Sequence, residues 1–148
     1  MKHAIWQDPD GHIVVDIPAA GVTLKDAAAK TEHNHLAAGR TRLADHDGPF
    51  PSRIFRNCWR ESAGKIGINM PLARIQRMAE IRAERDALLD ESDKDKARLD
   101  DVGTANQKQA MATYRQALRD LPASVDVESI TTPEELEAFA PAMPSKPK

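Results

Sequence analysis

The sequence predicts an α+β fold that is mainly helical, in which an N-terminal β-hairpin or small three-stranded sheet precedes an antiparallel helical hairpin. Two alternating apolar runs flank an Asp-Pro-Asp-Gly turn at residues 8–11. A charged amphipathic segment then runs from Met70 to Leu121 and is interrupted only around Gly103. A chain of 148 residues can hold one small core with appendages.

We expect three regions along the chain. Residues 1–50 contain the hairpin and a helix, and residues 51–121 contain a short aromatic helix, a strand and the antiparallel helical pair. Residues 122–148 contain a helical turn and a proline-rich tail. Only three Phe, two Trp and one Tyr supply large buried area, so the core should be thin and part of the apolar surface should need a partner.

The hairpin is predicted from its turn and from the alternation that follows it. Proline presets φ at a turn position and Gly11 tolerates positive φ. Ile13 and Val15 alternate with polar or outward positions until Pro18. A two-stranded hairpin is marginal in water, so we expect residues 65–69, with Ile66 and Ile68 alternating, to be its third strand.

A helix is predicted from Thr23, which precedes Asp26 by three residues, to a stop at Gly39. His33 and His35 are two residues apart on it and point in different directions, so they cannot chelate a metal together. We interpret both, and His46 in the following loop, as solvated. A pH-sensitive contact and a metal site are the lesser alternatives, and no metal ligand is predicted.

Ser52 is expected to cap a short helix over residues 53–62 that Gly64 ends. Four of its side chains share one face: Ile54, Phe55, Cys58 and Trp59. Cys58 is the single cysteine and cannot form an internal disulfide, so we interpret it as a buried filler.

The long helix should begin at Asn69 or Met70, with proline in its first turn. Two apolar stripes follow nearly opposite sides of it, and two stripes imply two neighbours. One stripe consists of Leu72, Ile75, Ala79 and Ala83, and the other of Ile81, Leu88 and Leu99.

Gly103 should break this helix, and Thr104 with Gln107 forms a capping box for the next one. The short break permits only an antiparallel return. The returning helix repeats apolar residues at a coiled-coil-like spacing and should end at Pro122: Met111, Tyr114, Leu118 and Leu121. Beyond it, Thr132 starts a last short helix, and the segment from Pro141 onward should be extended.

The sequence contains no catalytic or cofactor-binding motif that we recognise. It has no G-x-S-x-G and no glycine-rich phosphate loop, so we predict that the protein is not an enzyme and takes no cofactor. The 21 Lys and Arg against 23 Asp and Glu give no overall attraction to nucleic acid or membranes. No apolar run approaches a membrane span and no signal segment is present, so we expect a soluble protein made in the cytoplasm.

The arginines are the remaining candidates for recognition. Ion pairs with the many nearby carboxylates are the favoured interpretation, and contacts with acidic protein partners or with nucleic acid are the alternatives. Nucleic acid is the weakest of the three, because no helix-turn-helix spacing, finger ligands or stacking platform accompanies the arginines.

Three motifs, in this order and spacing, resemble small proteins encoded beside tail-fibre genes in tailed bacteriophages, described as tail fibre assembly or tail assembly chaperone proteins. They are FRNCWR at residues 55–60, MPLARIQRMAEIRAERDALLD at residues 70–90, and YRQALRDLP at residues 114–122 followed by TPEELEAF. The resemblance covers residues 53–141. The family often ends its last short helix in a tryptophan-proline pair, whereas this chain has Phe139 and Pro141.

The resemblance implies work in tail morphogenesis rather than catalysis. The first expectation is binding of a tail or tail-fibre subunit in the host cytoplasm during phage assembly. The alternatives are a structural tail or fibre-associated component of the virion that forms homo-oligomers, and a nucleic-acid-binding accessory protein. The residues expected to contact the partner are Phe55, Arg56, Trp59, Arg74, Ile81, Arg82, Arg85, Leu88, Tyr114, Leu118 and Arg119.

Overall fold

The computed structural model describes residues 2–147 and divides into two compact units between Ala73 and Arg74. The boundaries after residues 50 and 121 that the sequence suggests stay a prediction. The strands are β1 (Lys2–Gln7), β2 (Ile13–Asp16), β3 (Thr41–Arg42), β4 (His46–Asp47), β5 (Trp59–Ser62) and β6 (Lys65–Ile68). The helices are α1 (Leu24–Ala37), a 3-10 helix (Arg53–Cys58), α2 (Met70–Val102), α3 (Ala105–Ser124) and α4 (Pro133–Ala138). The predicted α+β class with mainly helical content is confirmed.

In the first unit, strand β1 is the centre of a small antiparallel sheet. It pairs with β2 in the register Ile5↔Val15 and Gln7↔Ile13, so the predicted hairpin is confirmed. The connection is held by Asp8, whose carboxylate accepts a 2.7 Å hydrogen bond from the backbone N–H of His12. The other pairings of β1 are with β3 and β4.

The prediction that residues 65–69 form the third strand of this sheet is wrong. Strand β6 pairs with β5 in a separate two-stranded sheet. Its two-residue loop has Ala63 at φ 51° and Gly64 at φ 77°, a left-handed pair whose twist suits a tight hairpin. Ile66 instead packs its side chain against the first sheet, in a cluster with Ile5, Ile13 and Trp59.

The short aromatic helix ends earlier than predicted. The cap at Ser52 is present, since its hydroxyl accepts from the N–H of Ile54, but the helix is of the 3-10 type and ends at Cys58. Trp59 has extended dihedrals of φ −65° and ψ 134° and begins β5, because residues 59–62 find a hydrogen-bonding partner strand immediately after the turn. Cys58 is buried as expected.

Helix α1 has the predicted cap, in which Thr23 accepts from the N–H of Asp26, and Gly39 follows it at φ 70°. The interpretation of His35 and His46 as solvated is wrong, because both are buried, whereas His33 is exposed as expected. His35 stacks on Trp6 with ring centroids 4.3 Å apart, since α1 packs on β1 with this face. His46 lies 4.8 Å from the ring of Phe50.

A hydrogen-bonded network explains how His35 is accommodated. The Asp16 carboxylate accepts from Trp6 Nε1 at 2.8 Å, Thr31 Oγ1 at 2.7 Å and His35 Nε2 at 3.0 Å. Arg40 Nη1 lies 3.2 Å from His35 Nδ1 and can only donate, so the network assigns the imidazole proton to Nε2. Burial opposes ionisation of Asp16, but the hydrogen bonds from Thr31, His35 and Trp6 outweigh it and lower the pKa of Asp16.

The second unit contains the predicted antiparallel helical hairpin. Met111, Tyr114 and Leu118 of α3 are buried against three leucines of α2, namely Leu88, Leu89 and Leu99. The capping box of Thr104 and Gln107 is present in both directions. Helix α3 continues past Pro122 to Ser124, so the predicted stop is wrong. Proline lacks its own N–H but keeps a helical φ, which allows a last turn to close around it.

The two apolar stripes of α2 have different environments within the second unit. Ile81 is fully buried, and Leu88 and Leu99 are half-buried against α3. On the other stripe Ile75 is 66% exposed, and the two alanines that follow it are less buried than Ile81. The second unit therefore supplies one of the two expected neighbours and leaves the Ile75 side of α2 open to solvent.

Candidate protein-binding site

The open side of α2 borders a groove in the second unit. The groove lies between the first turns of α2 in this unit and the segment that follows α3, and its volume is about 290 Å³. Its walls are mainly apolar, with arginines and one glutamate at the edge: Arg74, Ile75, Met78, Arg82, Val125, Val127 and Glu128. Val127 is buried, whereas Ile75 is largely exposed. The groove therefore combines an exposed apolar side chain with a buried one.

The wall of the groove opposite α2 is a tight turn. The Asp126 carboxylate accepts hydrogen bonds from the N–H groups of Glu128 and Ser129 at 3.0 and 3.2 Å. The N–H of Ile130 closes the turn on the carbonyl of Val127 at 3.3 Å. These bonds satisfy the N–H groups of residues 128–130, so Val127 can point inward without leaving these backbone groups unpaired.

Two arginines of α2 attach the following segments to the helix. Arg74 donates from Nε and Nη2 to the carbonyl of Ile130 at 3.1 and 2.7 Å. Arg77 donates from the same two atoms to the carbonyl of Phe139 at 3.0 and 2.5 Å. A guanidinium that bridges one carbonyl with two donors fixes geometry as well as position. Arg74 therefore fixes the turn that forms one wall of the groove, and Arg77 fixes the chain at Phe139.

The charges around the groove are unequally neutralised. Arg74 pairs with Glu128 at 3.6 Å, and Arg77 pairs with Glu80 at 2.9 Å. Burial opposes ionisation of Glu80, but hydrogen bonds from Gln76 and Arg77 outweigh it, so the pKa of Glu80 is lowered. Arg82 is exposed, and among residues 2–147 no carboxylate forms an ion pair with it. The edge of the groove therefore offers one guanidinium to an external carboxylate.

The residues expected from the sequence to contact a partner have very different accessibilities. Those that are buried are Phe55, Trp59, Ile81, Tyr114 and Leu118, those that are partly buried are Arg74, Arg85 and Leu88, and those that are exposed are Arg56, Arg82 and Arg119. The first unit contains Phe55, Arg56 and Trp59, and the second contains the others. The buried members present little surface in this structure, and the set as a partner-binding site stays a prediction.

Several of these arginines act within the chain. Arg56 lies over the ring of Trp59 at 5.8 Å. Arg85 Nε lies 2.7 Å from Asp86 Oδ1 as an ion pair, without the alignment of a hydrogen bond. Arg119 is 3.5 Å from the side-chain oxygen of Gln116, which is a weak contact.

Sequence reasoning did not identify Arg115 of α3, which links the two helices of the hairpin through contacts with α2. Its Nη1 donates to the carbonyl of Leu89 at 3.1 Å and to the hydroxyl of Ser92, and it pairs with Asp93 at 2.7 Å. The signal was the serine itself, because Ser92 lies on the apolar side of α2 and is fully buried. Met78 and Val127 were also missed as groove residues, since their role depends on how the segment after α3 folds back.

One group of metal-ligating side chains comes together in the described part of the chain, and it is not one that the sequence suggested. Ligand atoms of Asp8, Asp10 and His12 lie within 4.8 Å of one another. Asp8 already accepts from the backbone N–H and contacts the ring of His12 at 2.7 and 3.0 Å. The group is therefore explained as the cap of the β1–β2 turn.

Within residues 2–147, no helix has the length and apolar character that crossing a bilayer requires.

Comparison with known proteins gives one family. Residues 78–137 match the model of the phage tail assembly chaperone protein family, which confirms the resemblance seen in the sequence and supports a role in phage tail assembly. The match covers less than half of the chain, lies within the second unit and does not include the FRNCWR motif. No curated protein and no solved structure matches the chain.

Proposed function

Taking the tail assembly chaperone match of the second unit as the premise, we propose that this unit binds a tail or tail-fibre subunit and covers an apolar segment of it before assembly. The observation that carries the proposal is the position of the family match, which spans most of α2, all of α3 and nearly all of α4. The exposed groove beside Ile75 belongs to the same unit. The proposed work is non-catalytic.

The groove supports this proposal through its composition. Ile75 and Met78 supply apolar surface at its α2 edge, and Val125 and Val127 supply it on the opposite side. Covering the exposed isoleucine side chain would contribute roughly 1–2 kcal/mol. Since Arg74 holds the turn that forms one wall, little ordering of that wall would oppose binding.

Arg82 would add orientation rather than most of the affinity. It is exposed at the edge of the groove and offers a planar set of donors that matches a carboxylate. We therefore propose that the bound segment is apolar and is flanked by an acidic residue. Such charge pairs at the rim mainly affect association rate and selectivity.

The test is co-expression with the neighbouring phage tail genes, followed by pull-down and mass measurement. Ile75→Asp should reduce capture of the tail subunit at least about ten-fold, since it places a charge on the apolar wall. Val102→Asp is the matched control, because Val102 is a more exposed apolar residue of the same helix, at 79% against 66% for Ile75. Equal capture by both variants would contradict the groove as the binding site.

Purified phage particles separate the proposal from the structural alternative. A subunit-binding protein that acts before assembly should be absent from finished particles. Presence at a fixed ratio to a tail protein would favour the structural component, which would also require stable homo-oligomers. Binding to DNA or RNA that falls steeply with rising salt would favour the accessory-protein alternative.

A further inference from the structure

The segment after α4 returns to α2 near the other end of the helical hairpin. Lys146 Nζ lies 3.1 Å from Glu91 Oε1 and 2.6 Å from Asp95 Oδ2. The two carboxylates are one helical turn apart and therefore share a face. Hydrogen bonds and charge from these carboxylates, Asp95 first, raise the pKa of Lys146, and Lys146 lowers the pKa of Asp95.

The next residue borders an apolar recess. Pro147 lines a pocket of about 260 Å³ between α2 and α3. Leu99 and Met111 form its apolar part, and the polar edge includes Asp95 and Arg98. Two consecutive residues of this segment thus lie against the helical hairpin, since the lysine pairs with two carboxylates of α2 and the proline forms part of the wall of an apolar pocket.

We propose that this surface is a binding site for an extended lysine-proline segment of a partner protein, and that the chain's own Lys146 and Pro147 cover it as an intramolecular competitor. The seated segment itself shows the kind of ligand that fits. The acidic pair selects a cation, and a proline-rich segment loses little conformational freedom on binding. The site is separate from the Ile75 groove, so it does not depend on the function proposed above.

The contact is of a kind that can exchange. The three charged groups are partly to well exposed, with 31–64% of their side chains accessible, and such ion pairs are individually weak. Tethering within one chain compensates for these weak ion pairs, because a short linker gives an effective concentration of about millimolar. An external segment whose dissociation constant is at or below this concentration would therefore displace Lys146 and Pro147.

The experiment uses the full chain labelled with ¹³C at its methionine methyl groups, with the Met111 signal assigned by Met111→Leu. Lys146→Glu should release the segment and move the Met111 resonance. Lys65→Glu makes the same change in net charge in the first unit and should leave that resonance in place.

The probe is the synthetic peptide PAMPSKPK, the sequence of residues 141–148. It should shift the Met111 signal of the Lys146→Glu chain saturably toward its wild-type position, with an apparent dissociation constant about five-fold or more below that for the wild-type chain. The peptide PAMPSEPK should not bind. An unmoved Met111 signal in Lys146→Glu, or equal binding of PAMPSKPK by both chains, would overturn the proposal.

Discussion

Leu118→Ala tests whether the apolar side of α3, formed by Met111, Tyr114 and Leu118, is an internal core or a binding surface. Leu118 is fully buried among Met111, Tyr114 and the leucines of α2. Removing roughly three methylene equivalents at about 0.8 kcal/mol each costs about 2.4 kcal/mol. A residual cavity of about 50 Å³ at roughly 24 cal/mol per Å³ adds about 1 kcal/mol. The free energy of unfolding of the second unit should therefore fall by about 3–4 kcal/mol.

Urea unfolding followed by far-UV circular dichroism measures this loss, because α2 and α3 supply most of the helical signal. With a slope of about 1–3 kcal/mol per M, the midpoint should fall by more than about 1 M. Val102→Ala is the control, since it truncates an apolar side chain that is 79% exposed and should change stability by less than about 0.5 kcal/mol. A loss below about 1 kcal/mol for Leu118→Ala would refute the packing described for the hairpin.

Two further perturbations address the hairpin turn and the first unit. Gly103→Ala would place a Cβ 2.5 Å from the carbonyl oxygen of Leu99. We therefore expect thermal unfolding to show about 1–3 kcal/mol of destabilisation. An unchanged melting temperature would contradict the close approach of residue 103 to that carbonyl. Asp16→Asn should destabilise the first unit at pH 7. Because the folded pKa of Asp16 is lowered from 3.8, its stabilisation is present above that value and is lost as pH falls through the folded pKa. The difference in the free energy of unfolding between wild type and Asp16→Asn should therefore shrink below about pH 4. Fluorescence of the two Trp residues of this unit measures it. A difference that does not change with pH would exclude the proposed role of the ionised carboxylate.

The elements predicted correctly are those whose cause is local in sequence. The β1–β2 turn, the caps at Thr23 and Thr132 and the capping box at Thr104 each depend on residues within four positions of one another. The apolar spacing of α3 likewise identified the side that is buried. Such short-range patterns constrain a helix or a turn before any tertiary contact forms.

The errors concern pairing and packing that a periodic pattern does not specify, whether the partner is near or far in sequence. Strand β6 has the predicted apolar alternation, but alternation does not identify the partner strand. Residues 59–62, which form that partner β5, were interpreted as part of a helix. His35 was interpreted as solvated because its partners, Asp16 and Trp6, are far away in sequence. A periodic pattern shows which side of an element is apolar, but not which segment covers it.

The same limit applies to the candidate site. The arginines of α2 were identified as important, yet Arg74 and Arg77 hold carbonyls of the chain itself. Their acceptors are backbone carbonyls, which a pattern of side chains does not reveal. What the sequence did indicate is the open stripe at Ile75, because its spacing required a neighbour that the second unit does not provide.

Site-specific photo-crosslinking during phage infection tests the binding proposal most directly. A benzoylphenylalanine at position 75 lies at the groove, and the same residue at position 102 of the same helix is the matched control. We predict a crosslink to a tail or tail-fibre subunit from position 75 and none from position 102. A crosslink only from position 102, or none from position 75 in cells that assemble tails, would contradict the account.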